Sequence, residues 1–181
     1  MECFIVTKTY KIVIFMAGKE NTEEKSMNND IFWNQDKMPL LNSTDFWHSA
    51  KPFIHQDRIM SMHVFDYIVR GRMQIIEDGK EYVLTPGSFL FLKSGVRHWG
   101  TEFCEPDTEW YYFHFYLTQE DLYPVKNIHG DGGEVMSQED YRYSVRLPKM
   151  MTLYDAEDIS SMERMLRELV KDYHDAGKRP S

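Results

Sequence analysis

Between Ile59 and Leu117 the chain is written in short apolar or alternating runs separated by turn signals, the pattern of an antiparallel sandwich or barrel. The runs Met62 to Val69, Met73 to Glu77, Lys80 to Leu84, Phe89 to Leu92 and Trp110 to Leu117 are predicted strands. Asp78-Gly79 between the second and third runs predicts a two-residue hairpin, because a type I′ turn needs positive φ at both central residues. Pro86-Gly87 and Ser94-Gly95 mark two further reversals. From Asp155 the period changes. Ile159, Met162, Leu166, Leu169, Val170 and Tyr173 recur at steps of three and four, which predicts an amphipathic helix.

The flanks carry weaker patterns. Lys19 to Asp30 is polar and charged with no apolar period, so it reads as a linker or mobile arm. Ile31 to Pro52 reads as irregular arm and turn structure anchored by Phe32, Trp33, Phe46 and Trp47, and Gly130 to Ser144 as a surface loop. The expected layout is a flexible arm over residues 1–30, a barrel over 31–148 and a helical segment over 149–181.

Composition narrows the class. With 181 residues, 42% hydrophobic and 28% charged, the chain holds enough apolar material for one core and too much for a disordered segment. Its net charge of -8 argues against gripping nucleic acid, which needs clustered Lys and Arg. Cys3 and Cys104 are far apart and fit no CxxC pattern, so the expected compartment is the reducing cytoplasm. Cys3 to Gly18, interrupted by Lys8 and Lys11, is too short to span a bilayer, and no membrane contact is expected.

The segment GSFLFLKSGVRH, Gly87 to His98, places glycines at two turns around a short apolar strand and a histidine three residues after Gly95. It resembles the second cupin motif, Gly-x5-Pro-x-Gly-x2-His, with Lys93 in place of the proline. The resemblance implies a cupin-like antiparallel β-barrel, a double-stranded β-helix or jelly roll, followed by C-terminal helix. The first cupin motif supplies two histidines and a glutamate to a metal, but the corresponding positions here fall near Arg58 and Met60 and on Val64. An offset set of His63, Asp66 and His98 would need residues of opposite parity on one strand, so no metal or other cofactor is expected.

The wider run RIMSMHVFDYIVRGRMQIIEDGKEYVLTPGSFLFLKSGVRHWG, followed by EWYYFHF, resembles the amino-terminal domain of AraC-family transcriptional regulators, over about Arg58 to Tyr116. That resemblance implies a barrel that binds a small effector, often a sugar, and a helical segment that mediates homodimerisation. It implies sensing without catalysis. DNA would be contacted only through a carboxy-terminal pair of helix-turn-helix motifs, which are expected to lie outside these 181 residues. The ligand-binding candidates are His98, Trp99, Tyr112, His114, Asp66 and Arg58. Tyr112 and His114 share one face of their strand and match effector-contacting positions of the family; ordinary barrel filling is the competing reading. Asp66, amid HVF and YIV, must be paired, solvated or functional if it faces inward. Trp99 is expected on the face opposite His98 unless the turn shifts the register. Two rival readings remain open: a stand-alone carbohydrate-binding cupin and a metal-dependent sugar-processing cupin enzyme.

Overall fold

The computed structural model describes residues 8, 11–16, 29–34, 36–117 and 144–177. Among the described residues, a helical stretch over 11–16 is followed by eleven strands and a C-terminal helix: β1 (Phe32–Asn34), β2 (Leu40–Ser49), β3 (Arg58–Ile59), β4 (His63–Arg70), β5 (Met73–Glu77), β6 (Lys80–Leu84), β7 (Ser88–Leu92), β8 (Arg97–Trp99), β9 (Thr108–Tyr116), β10 (Ser144–Arg146), β11 (Met150–Thr152), then the helix Ala156–Gly177. They form a five-stranded sheet in the order β11-β7-β4-β9-β2, a four-stranded sheet in the order β3-β8-β5-β6, and the pair β1-β10. Every pairing is antiparallel. The five expected strands therefore exist, as β4, β5, β6, β7 and β9. The Asp78-Gly79 hairpin joins β5 to β6 with φ of 51° and 75°.

Alternation on the five-stranded sheet separates two apolar clusters. Val64 and Ile68 of β4 with Leu90 and Leu92 of β7 face the smaller sheet, where Met73, Ile75, Tyr82 and Leu84 close the inner core. Phe65, Tyr67, Phe89, Phe91, Phe113 and Phe115 point the other way and would be stranded in water if nothing lay over them. The C-terminal helix covers them with Met162, Leu166 and Leu169. Its start is capped by Asp155, whose Oδ1 accepts the N–H groups of Glu157 (2.9 Å) and Asp158 (3.1 Å). Among the described residues no helix is long and apolar enough to cross a membrane.

Two expectations change. The irregular arm over Ile31 to Pro52 contains a ten-residue edge strand, β2, zipped to β9 from Leu40–Tyr116 to Ser49–Thr108. Within the flexible arm expected over residues 1–30, Ile12, Val13 and Met16 are fully buried in the outer core, and Lys8 ion-pairs with Asp172 of the C-terminal helix at 2.7 Å. The helix packs Met162, Leu166 and Leu169 of its apolar stripe on its own sheet. The loop expected at Gly130 to Ser144 lies outside the described residues up to Ser144, where β10 begins.

Gly87 shows why the motif needs glycine. Its φ is +84°, and a Cβ there would meet the carbonyl oxygen of Leu153 at 2.8 Å, on a backbone that is itself bonded to Gly87. Gly87→Ala is expected to destabilise the chain by about 2 kcal/mol, read as a lower urea midpoint at unchanged slope. A loss below about 0.5 kcal/mol would show that the turn relaxes instead.

Candidate functional site

The register brings polar side chains from both sheets into the apolar inner face. Asp66 of β4 lies opposite Tyr112 of β9, and Val64 opposite His114, so Asp66, Tyr112 and His114 share the inner side. On the smaller sheet Arg58 of β3 lies opposite His98 of β8, and His98 opposite Glu77 of β5. Arg58 Nε donates to His98 Nε2 at 3.2 Å. The other ring nitrogen of His98, Nδ1, then carries the proton and faces the Val96 carbonyl at 3.3 Å. His55 completes the group, its ring 5.4 Å from that of His98 and its segment held by the Gly100 N–H, which donates to the His55 carbonyl at 3.0 Å. Phe53 stacks on Trp110 at 5.2 Å, and Tyr112 sits 5.1 Å from His114, so aromatic rings line the same side.

The electrostatics follow from burial around one fixed cation. Burial, followed by the field of His98 and Arg58, lowers His55 to about 3. Burial and Arg58 lower His98 to about 4 and His114 to about 4. All three rings are therefore neutral near pH 7. Burial raises the Asp66 carboxyl to about 7, with Arg58 opposing it. Asp66 is 4% exposed, and its Oδ2 has no hydrogen-bond partner among the described residues; the same holds for His55 Nδ1. A buried carboxyl oxygen without a donor is expensive in an apolar interior, and such groups mark places where something else supplies the bond.

The chain matches a family model for the AraC-like ligand-binding domain over residues 53–172, more than half its length. This chain belongs to that family. The AraC-like domain is 26% identical over 101 residues to YisR, an uncharacterized HTH-type transcriptional regulator of Bacillus subtilis (strain 168). The aligned part is 52% of this chain and 34% of the relative, so it spans about a third of that regulator's length. Solved structures with similarity include an RmlC-like cupin from Shewanella frigidimarina NCIMB 400, 17% identical with a TM-score of 0.35, covering 56% of this chain and 96% of that one. KdgF from Halomonas sp. is 13% identical with a TM-score of 0.35, covering 56% of this chain and 99% of that one.

Of the six residues expected to contact ligand, the structure assembles five. Arg58, Asp66, His98, Tyr112 and His114 share the barrel interior. Trp99 does not join them: it lies opposite Ile76 on the outer side of β8, where the Arg97 guanidinium sits 4.8 Å over its ring. His63 faces the outer core, 5.4 Å from the Phe115 ring, as parity requires, so His63, Asp66 and His98 do not converge. Among the described residues no three His, Cys, Asp or Glu side chains group closely enough to hold a metal ion.

Sequence reasoning missed His55 and Ser43. Ser43 sits on β2 and its Oγ lies 2.9 Å from His114 Nδ1, which fixes that ring. Neither residue carries a local signal, because His55 stands in an aperiodic stretch and β2 is a half-exposed edge strand with mixed alternation. Also unforeseen is a buried knot at Glu77, which pairs with Lys149 and accepts from Asn29 Nδ2 at 2.7 Å and the Lys93 N–H at 2.6 Å.

Proposed function

We propose that this AraC-like domain is the effector-sensing part of a cytoplasmic, homodimeric transcription regulator, that it binds a small polyhydroxylated ligand of the sugar class inside the barrel, and that it performs no catalysis. The observation that carries the reading is the orphaned Asp66 carboxyl, set among Tyr112, His114 and Arg58 in an otherwise apolar interior. Small-molecule sites combine an apolar, aromatic wall with a few converging polar groups. Aromatic faces suit the C–H faces of a sugar ring, while Asp66 and His114 suit its hydroxyls.

A route to the rest of a regulator starts at the same residues. His114 contacts Ser43 of β2, and the neighbouring β2 residues touch the end of the C-terminal helix. Tyr173 Oη donates to the Asn42 carbonyl at 3.2 Å, and His174 Nε2 lies 3.2 Å from Asp45 Oδ1. A ligand that moves His114 thereby shifts the strand on which the helix end rests, and with it the equilibrium of any attached DNA-binding part.

A thermal-shift panel of pentoses, hexoses and their acid derivatives tests the reading. A true effector at about a hundred times its Kd stabilises by about 2.7 kcal/mol, which for a chain of this size raises Tm by about 5–10 °C. Tyr112→Phe and Asp66→Asn are expected to cut that shift at least to half while leaving the unliganded fold intact. No shift with any compound, or one untouched by both substitutions, would sink the proposal.

A further inference from the structure

Among the described residues, no carboxylate pairs with the Arg58 guanidinium. The other described arginines that form ion pairs reach acids of their own: Arg97 takes Asp57 through both oxygens at 2.8 and 2.5 Å, Arg72 takes Glu102 at 2.7 Å, and Arg146 takes Asp30 at 3.0 Å. Asp57, next to Arg58 in the chain, is thus already spent on Arg97. Arg58 gives one Nε–H to a neutral histidine, and among the described residues its two terminal amino groups have no hydrogen-bond partner. Asp66 feels the Arg58 charge across the interior, yet no ion pair within 4.0 Å joins them among the described residues. A cation and a buried carboxyl that share a barrel without meeting leave room for a molecule that satisfies both.

His98 narrows the chemistry. Both of its ring nitrogens are engaged, one by Arg58 and one by the Val96 carbonyl, so it has no free donor or acceptor to offer. It is a positioning residue that aims the guanidinium fork. A guanidinium fork matches a planar carboxylate through two parallel hydrogen bonds. On the opposite wall, Asp66 Oδ2 needs a donor, which a hydroxyl supplies, and the Tyr112 and Trp110 rings offer an apolar face for the carbon skeleton between them.

We propose that the interior site takes a sugar acid: a ligand whose carboxylate sits on Arg58 and whose hydroxyls reach Asp66 and His114. This rests on the effector-sensing reading above and names the ligand class within it. The charges present agree, since Lys149, whose field also reaches His98, is answered by Glu77, while the Arg58 guanidinium has no acid paired with it among the described residues. A neutral sugar would leave that charge unanswered.

The test is isothermal titration of the full chain at neutral pH with D-glucuronate, D-galacturonate and D-gluconate. Each is set beside its uncharged counterpart (D-glucuronamide, D-galactose, D-glucose), with acetate as the bare anion. At least one acid is expected to bind ten-fold or more tightly than its neutral counterpart, and acetate not measurably. Arg58→Gln is expected to bring acid and neutral forms within about two-fold of each other. Asp66→Asn should weaken both alike, and His98→Ala should erode the preference for the acid with less effect on the neutral form. The unliganded melting temperature of each variant reports whether it folds. Equal affinity for acid and neutral sugar, tight acetate binding, or a preference that survives Arg58→Gln overturns the sugar-acid assignment while the sensing reading stands. No binding by any compound overturns both.

Discussion

Lys149→Met is expected to destabilise the chain by about 3–5 kcal/mol, because it would leave the Glu77 carboxylate charged and fully buried with its main counter-charge gone. Glu77 is 0% exposed and Lys149 6%, and the two ends of the pair come from β5 and from the residue just before β11. Burial pulls the Lys149 ammonium below its ordinary value, and Glu77 pushes it back up. The knot also fastens the segment before β1, since Lys149 Nζ donates to the Asn29 carbonyl at 3.0 Å and Asn29 Nδ2 donates to Tyr82 Oη at 3.1 Å. The double variant Glu77→Gln with Lys149→Met keeps the acceptor for the Lys93 N–H, places an amide N–H opposite Asn29, whose Oδ1 accepts it once that side-chain amide turns over, and removes both charges. It is expected to recover more than half of the loss, giving a strongly non-additive cycle by urea denaturation. Additive single effects would mean that the two side chains act through separate contacts.

The second large effect is acid lability. For His55, His98 and His114 the folded values lie near 3, 4 and 4 against an ordinary 6.5. The folded state binds fewer protons than the unfolded chain, so their contribution is complete above pH 6.5 and is lost as pH falls toward 4. Asp66 has the opposite sign. Its folded value is raised to about 7 from 3.8, so its contribution is complete below 3.8 and is lost as pH rises to 7. Between pH 6 and 5 the histidines outnumber Asp66, and stability is expected to fall by about 1.4 kcal/mol per pH unit for each net proton taken up on unfolding. Asp66→Asn removes the opposing contribution, so the variant should be more stable than the parent at pH 8 and lose stability more steeply on acidification. Urea midpoints at pH 8, 7, 6 and 5 measure this. A flat profile from pH 7 to 5 would show that these histidines protonate freely in the folded chain.

The strands that alternate or run apolar were legible because half-buried sheets impose a period of two and fully buried ones impose continuity. β4, β5, β6, β7, β9 and the C-terminal helix follow from that pattern, as does the hairpin at Asp78-Gly79. Parity alone placed Tyr112 and His114 on one face of their strand and Trp99 on the face opposite His98, whereas Asp66 joins that side only through the register of β4 against β9. β2 was not legible. An edge strand such as LLNSTDFWHS has one paired neighbour and much exposed surface, so its side chains need no regular alternation. The outer core hid for a related reason: its strand face reads as interior in the sequence, and only the folded chain shows that it belongs to a second apolar layer under the helix.

Local order was thus written in the sequence, through period, turn chemistry and the Gly87 to His98 spacing. Who meets whom was decided by tertiary structure. His55 reaching His98, Ser43 orienting His114, Arg58 aimed by a histidine and kept from Asp66, and Asn29 tied to Glu77 across 48 residues all depend on register between distant segments. The physical reason is range: backbone sterics and hydrophobic period act within a few residues and leave a trace at each position. Pairing between remote polar groups is selected by the closure of the whole barrel and leaves no local trace.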